Sequence, residues 1–366
     1  VGVRFFPLGD RMLTWSRDGS VVIWDTASGQ PLHTMQHTAP VESAQVFPGG
    51  DRAVTCSSEN MCIIWDCSTG VALSRLPSKW AVRVSVFPSG DRLLTWGLDP
   101  AAVVWNAASG EEQCALAGGH TSSITSAWIF PDGKKVITAG LDGSAVIWSA
   151  SCVAMVRLET RDWLVGVAVL SGGLEVVTAA GRTGALTVWS VASGWRLRAM
   201  AAPWPRFAAL GSAGLEVLPP GDRLLTSNSF GVTIWNTTSG ELLQRLDTFP
   251  NITTDVAVSV DGEIVATCGS RTVTLWASRS GRALHRFEDS SGSGSADTAC
   301  FVAIGLASVL DPQGFGPGLP LQDLHLAVAE HSLLHSRAVP RAAASAAVGV
   351  LLGMAWLTRP RPSFRQ

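Results

Sequence analysis

Seven tryptophans recur along the chain at near-constant intervals: Trp24, Trp65, Trp105, Trp148, Trp189, Trp235 and Trp276, separated by 41, 40, 43, 41, 46 and 41 residues. A period of this size is the mark of one supersecondary unit copied many times, and it constrains the fold more than any other feature. Each of these tryptophans closes a short β-branched or apolar run, such as Cys62-Ile63-Ile64-Trp65, Ala145-Val146-Ile147-Trp148 and Val273-Thr274-Leu275-Trp276. The repeated unit is therefore rich in strands.

Residues 119–160 show its grammar. Apolar and β-branched runs at 124–130, 135–139, 145–148 and 154–158 predict four strands. The first two are joined through Pro131-Asp132-Gly133 and the second and third through Asp142-Gly143. Asp-Gly between two such runs is a strong hairpin signal, because the turn needs positive φ. Other repeats use equivalent turns, among them Gly49-Gly50-Asp51, Ser89-Gly90-Asp91, Ser68-Thr69-Gly70 and Ala108-Ser109-Gly110. A single four-stranded sheet is too small to bury its own faces, so neighbouring units must stack. Sevenfold radial stacking of four-stranded antiparallel sheets predicts an all-β, seven-bladed β-propeller. The expected blades are about 1–36, 37–77, 78–118, 119–160, 161–202, 203–248 and 249–289, followed by a linker and tail over 290–366 that includes possible helices.

The formal net charge is −2 with 15% charged residues, which carries no signal for nucleic acid or an anionic membrane surface. Seven cysteines, an odd number with no C-x-x-C pair, predict scattered reduced side chains rather than a disulfide framework or zinc site. With no leader in view, the two N-x-T sequons at Asn236 and Asn251 are expected to be unused and the protein cytoplasmic, with the nucleus as an alternative. The chain begins at Val1 inside a strand and reads as a fragment.

These residues resemble the WD-repeat family. Trp24-Asp25 and Trp65-Asp66 carry the dipeptide that names it, while Asn106, Ser149, Ser190, Asn236 and Ala277 follow the other tryptophans. Gly119-His120 matches the family's Gly-His ahead of a first strand. The resemblance implies a His–Ser/Thr–Asp–Trp network stitching each blade. The fourth repeat supplies all members, His120, Thr138, Asp142 and Trp148; the second supplies His37, Thr55, Glu59 and Trp65. The first and third keep Asp18 and Asp99 without the His, and the last three place Thr183, Ser229 and Ser270 near the Asp position. The family closes its ring by strand exchange. Here the seventh repeat has its own fourth strand and no exchange is visible, which leaves a lost upstream strand, closure by packing between blades one and seven, or a strand added by the apolar run 301–310.

The resemblance also implies that ligands meet the loops before the first strands and the turns between second and third strands. Candidate partner-binding residues there are Arg17 and Arg182, with Trp204 and Arg206 in the insertion that makes the 46-residue step. Trp15 and Trp96 follow the network threonines Thr14 and Thr95 and either pack between blades or line the channel. In the tail, 290–295 reads as a flexible Ser/Gly linker, 321–339 as a helix carrying His331 and His335, and 342–357 as an uncharged run of 16 residues. That run is short of the ~20 residues needed to span a bilayer, which leaves an anchor, a docked helix or an interfacial helix.

No phosphate-binding loop, nucleophile elbow or H-E-x-x-H motif occurs, and no catalytic, metal-binding or cofactor-binding residue is assigned. The expected function is a non-enzymatic scaffold binding other proteins or peptides, as a monomer or part of a complex, with no cofactor and no nucleic acid. The alternatives are the propeller part of a larger regulatory or enzyme polypeptide, and a membrane-tethered adaptor using 342–357.

Overall fold

The computed structural model describes residues 2–26, 28, 30–78, 80–200, 210–228, 231–246, 253–259, 262–269 and 272–288. Within them lie seven four-stranded antiparallel sheets, each built from one contiguous segment in up-and-down order. The sheets run over 2–36, 41–77, 81–116, 124–159, 164–200, 210–246 and 253–288. They are the blades of a seven-bladed β-propeller. The strands of blade four are Ile124–Ile129, Lys135–Gly140, Ser144–Ser149 and Ala154–Glu159, within a residue of the ends expected from sequence.

In blades two to six the two middle strands are buried on both faces, which explains why they read as unbroken apolar runs rather than alternating ones, while blade one buries only alternate residues of its own. Successive side chains still point to opposite faces, so each strand feeds two cores. Val136 and Val146 pack with Phe87, Leu94 and Val104 in the seam between blades three and four. Their neighbours Ile137 and Ile147 pack with Leu164 and Val167 in the seam between blades four and five. The same splitting sends Leu93 to one side of blade three and Leu94 to the other. Trp65, Trp105, Trp148, Trp189 and Trp235 each sit in the seam with the preceding blade. Trp96 is buried in the seam between blades three and four, and Trp15 packs against the seam between blades one and two, so both belong to inter-blade packing.

A second repeating device ties consecutive blades. Phe6, Phe47 and Phe87 each carry an arginine guanidinium 4.2–4.3 Å above the ring: Arg11, Arg52 and Arg92. Each arginine also donates to a turn carbonyl of the next blade, Gly50 O at 3.0 Å, Gly90 O at 3.1 Å and Gly133 O at 3.0 Å. The sequence carries this as Phe-Pro-x-Gly-Asp-Arg, a motif the tryptophan period overshadows. Blade four has Lys135 in the arginine's place, 5.7 Å from the Phe130 ring.

Blade one pairs its own first strand, Gly2–Phe5, with Arg11–Trp15, and blade seven pairs Thr272–Ala277 with its own Ala283–Glu288. No strand is exchanged between these two sheets. The 301–310 run, the linker and the tail, including His331, His335 and 342–357, lie outside the described residues.

The expectation of reduced, unpaired cysteines is corrected at four positions. Cys56 is bonded to Cys62, and Cys114 to Cys152. Cys56 and Cys62 stand directly opposite each other on paired strands, and Cys114 and Cys152 meet across a seam. Neither strand register nor blade stacking is visible in a count of cysteines. Cys67 is free and buried, and burial pushes its thiol up to about 12.

Candidate functional site

One hydrogen bond is present in all seven blades. The indole Nε1–H of the periodic tryptophan donates to a threonine Oγ1 on the neighbouring strand: Trp24 to Thr14 (2.8 Å), Trp65 to Thr55 (2.7 Å), Trp105 to Thr95 (2.8 Å) and Trp148 to Thr138 (2.9 Å). The remaining three are Trp189 to Thr178 (2.9 Å), Trp235 to Thr226 (3.0 Å) and Trp276 to Thr267 (2.8 Å). A buried indole needs such a partner. Thr178, Thr226 and Thr267 were not singled out from sequence. Their signal is a threonine nine to eleven positions before each tryptophan, blurred by that drift.

In blade four the chain of bonds continues. Thr138 Oγ1 lies 2.8 Å from His120 Nε2, and His120 Nδ1 lies 3.2 Å from Asp142 Oδ1. With the Trp148 N–H occupying one acceptor site of Thr138, the consistent assignment is that the threonine hydroxyl donates to Nε2 and Nδ1–H donates to the carboxylate. Asp142 also accepts from Thr121 N (2.9 Å), Ser144 N (3.0 Å) and Ser144 Oγ (2.8 Å). Burial by itself pushes the Asp142 carboxyl up; these donors and the His120 ring outweigh it and hold it at about 2. Burial also pushes His120 below its ordinary value, against the opposing pull of Asp142, so the ring is neutral. The His120 side chain is 0% exposed, so no substrate reaches it with the blade closed. The arrangement ties the loop before the first strand to the turn between the second and third.

In blade two, His37 Nε2 lies 2.6 Å from Thr55 Oγ1, and burial lowers its pKa. Glu59, however, accepts from Thr38 Oγ1 instead of from the ring. The carboxylate stands 21 residues after the threonine next to the histidine in both blades, and Glu59 differs from Asp142 by one methylene. In blade five the carboxylate that bonds Thr183 is Asp162, which accepts from its N (3.0 Å) and Oγ1 (3.2 Å). Ser229 and Ser270 lie outside the described residues.

The same loops and turns form a surface. Across blades three to five, Trp80, Leu98, Leu141 and Trp163 are 57%, 61%, 47% and 43% exposed, although large apolar side chains are the ones a fold normally hides. Trp80, Leu98 and Leu141 follow one another along a hydrogen-bonded path. Leu98 N donates to Trp80 O (3.0 Å) and Leu141 N to Ser123 O (3.0 Å). Ser123 Oγ reaches back to Leu98 O (2.9 Å). Two glycines seat the tryptophans. A Cβ at Gly97 would stand 2.3 Å from Trp80 O, and one at Gly181 would stand 1.7 Å from Trp163 Nε1. Trp80 itself has φ 57°, an uncommon conformation for a bulky residue and one that concentrates at ligand-contacting sites. Its sequence signal, like that of Trp163, is a tryptophan off the sevenfold period and immediately ahead of a first strand.

Arg182 is exposed in the turn beside this arc, 3.9 Å from Asp162. Arg17 is exposed in the corresponding turn of blade one. Trp204 and Arg206 lie outside the described residues. No group of three or more metal-ligating side chains occurs among the described residues. No helix among them is long and apolar enough to cross a membrane.

Seven stacked blades with an indole–threonine bond in each define a repeat propeller of one class. The family model for "WD domain, G-beta repeat" matches residues 29–66, 112–149 and 240–277, each match ending one residue after a periodic tryptophan. The chain thus carries WD repeats at three of its seven positions, and its repeated four-stranded sheets are consistent with a WD-repeat propeller. No curated protein matches it.

Proposed function

We propose that this chain is a non-enzymatic interaction scaffold, a rigid propeller that holds partner proteins or peptides on the face built from its first-strand loops and second-to-third-strand turns. WD-repeat propellers generally bind other proteins, and a fold alone does not choose the partner. The observation that carries the reading is the exposed arc of Trp80, Leu98, Leu141 and Trp163. Exposed apolar groups gathered on one side of a rigid body, with tryptophan anchors, are the composition of an interface core. Arg182, at the edge of the arc, supplies a charged rim residue; Arg17, Trp204 and Arg206 extend the candidate surface. The cytoplasmic placement expected from sequence remains part of this proposal.

The test is proximity labelling with the full chain and with a Trp80→Ser, Leu98→Ser, Trp163→Ser variant. All three side chains are already exposed, so the variant is expected to melt with the parent while losing the specific labelled set. An unchanged set of labelled proteins would move the binding surface elsewhere on the molecule.

A further inference from the structure

The turn between the third and fourth strands repeats around the propeller with a glycine in the left-handed region. Gly70, Gly110, Gly194, Gly240 and Gly281 have φ between 66° and 75°. Each lies against the fourth strand of the preceding blade, and the space is tight. A Cβ on Gly70 would approach His33 to 3.0 Å, one on Gly110 would approach Ser74 to 3.0 Å, and one on Gly194 would approach Val156 to 2.7 Å. These facing residues hold one register position. His33, Ser74, Val156, Arg198 and Gln244 all stand opposite the residue immediately before the periodic tryptophan.

Blade four breaks the pattern, and blade three breaks it at the matching place. The left-handed turn residue of blade four is Cys152, with φ 62°, in a turn one residue shorter than the others. The residue it faces on the fourth strand of blade three is Cys114, which stands opposite Val104, the register position just described. The two are bonded through sulfur across a sequence separation of 38 residues. A side chain in the left-handed region is unfavourable where glycine serves the other turns. Here it puts a sulfur where the seams at Gly70, Gly110 and Gly194 have close packing and those at Gly240 and Gly281 have a hydrogen bond from Arg198 or Gln244 to the neighbouring turn. Both cysteines are half-buried at the margin of the core between blades three and four, whereas Cys56 and Cys62 are 0% exposed.

The geometry points to Cys114 and Cys152 as a reversible thiol–disulfide site, a covalent staple that closes the seam between blades three and four under oxidising conditions and releases it under reducing ones. The oxidant is a low-molecular-weight disulfide such as glutathione disulfide. The thiolate of one cysteine attacks a glutathione sulfur, the glutathione S–S bond breaks, and one glutathione leaves as thiolate. The second cysteine's thiolate then displaces the other glutathione from the mixed disulfide. Two cysteine protons end on two glutathione thiols, so one disulfide is formed for one consumed. Excess glutathione thiol runs the same steps backwards. Cross-linking the seam stabilises the fold by restricting the unfolded chain, while the left-handed cysteine destabilises it whether or not the bond is closed.

That opposition sets the test. The full chain, Cys114→Ser and Cys152→Gly are each equilibrated in glutathione disulfide or in excess reduced glutathione, then melted and mapped for disulfides by mass spectrometry. The parent is expected to yield a Cys114–Cys152 cross-linked peptide only in the oxidised sample, and to lose several degrees of Tm on reduction. Cys152→Gly is expected to melt below the parent when both are oxidised and above it when both are reduced, because glycine relieves the turn. Cys114→Ser is expected to match the reduced parent in both buffers. Any redox response left in the two variants comes from the other cysteines and is assigned from the mapped peptides. The staple is overturned if the cross-linked peptide never forms, or if Cys152→Gly keeps the same rank against the parent in both buffers. A cross-link that survives excess reduced glutathione in the folded protein overturns its reversibility.

Discussion

Blades three and four share a seam, a strand plan and a buried tryptophan, yet they secure their loops differently. In blade four, Thr138 serves two partners, and His120 and Asp142 extend the bonding to the loop before the first strand. In blade three, Thr95 bonds Trp105, while Asp99 caps only the backbone N–H of Ala101 at 2.9 Å. Blade three instead buries Trp96 beside the threonine, with an indole N–H that has no partner among the described residues. The common element is thus the tryptophan in its seam bonded to threonine. The histidine and its bond to aspartate are an addition that fixes a loop; blade three lacks that bond, and Trp80 and Leu98 lie exposed in its loop and turn.

The largest expected effect tests the shared part. Trp148→Ala and Trp105→Ala each remove a buried indole and are expected to cost ~3–5 kcal/mol, read from the shift in urea midpoint. Near-equal losses support packing as the common cause; a much smaller loss for Trp105 would place the stabilisation in the histidine–aspartate extension. Next, Thr138→Val strands both the Trp148 N–H and the His120 ring, whereas Thr95→Val strands one donor. With roughly 1–3 kcal/mol for each unsatisfied buried group, the blade-four variant is expected to lose more. Equal losses would show that His120 contributes no net bond.

A third pair of variants separates the carboxylates. Asp142→Asn weakens a carboxylate accepting from several donors and is expected to cost about 1.5–3 kcal/mol, while Asp99→Asn is expected to stay within about 0.5 kcal/mol. The pH dependence follows the same asymmetry. His37 and His120 are held below the ordinary 6.5, so unfolded chains take up protons that the folded blades refuse. Stability is therefore expected to fall as pH drops below 6.5. Asp142 adds stability that is complete above 3.8 and is lost as pH falls toward about 2. Asp142→Asn is expected to flatten that lower limb in acid titrations followed by tryptophan fluorescence; an unchanged limb would assign it to other carboxylates. The smallest effect concerns the clasps. Lys135→Arg restores the guanidinium that Arg92 provides one blade earlier, and is expected to raise stability by about 0.5–1 kcal/mol. No gain in the urea midpoint would mean that the Phe130 site lacks the arginine's geometry.

Much of this was legible in the chain because a repeat reports its own period. The blades, the strand ends of residues 119–160 and the His120–Thr138–Asp142–Trp148 bonds follow from spacing and from the family resemblance. What stayed hidden depends on which blade faces which. The Arg92-to-Gly133 clasp spans 41 residues, and Cys114 meets Cys152 across 38, separations at which sequence shows no contact. The partner of Glu59 is not legible in spacing: it stands where Asp142 stands in blade four but accepts from Thr38. The sequence places Leu98 and Leu141 on turns of the candidate face; Trp80 and Trp163 escape it because they lie off the period.

The arginine clasps have a consequence for synthesis. In blades two and three the periodic tryptophan packs backward into the blade already made, and in blades one to three the clasp arginine reaches forward, to a carbonyl encoded 38–41 residues later. At roughly 5–20 residues per second, a newly emerged blade waits about 2–8 s before its guanidinium finds its acceptor. While the segment that completes these clasps is being made, the nascent propeller therefore ends in one unlatched blade, and a ribosome that stalls there leaves the last-made seam without its clasp while the earlier ones are already fastened.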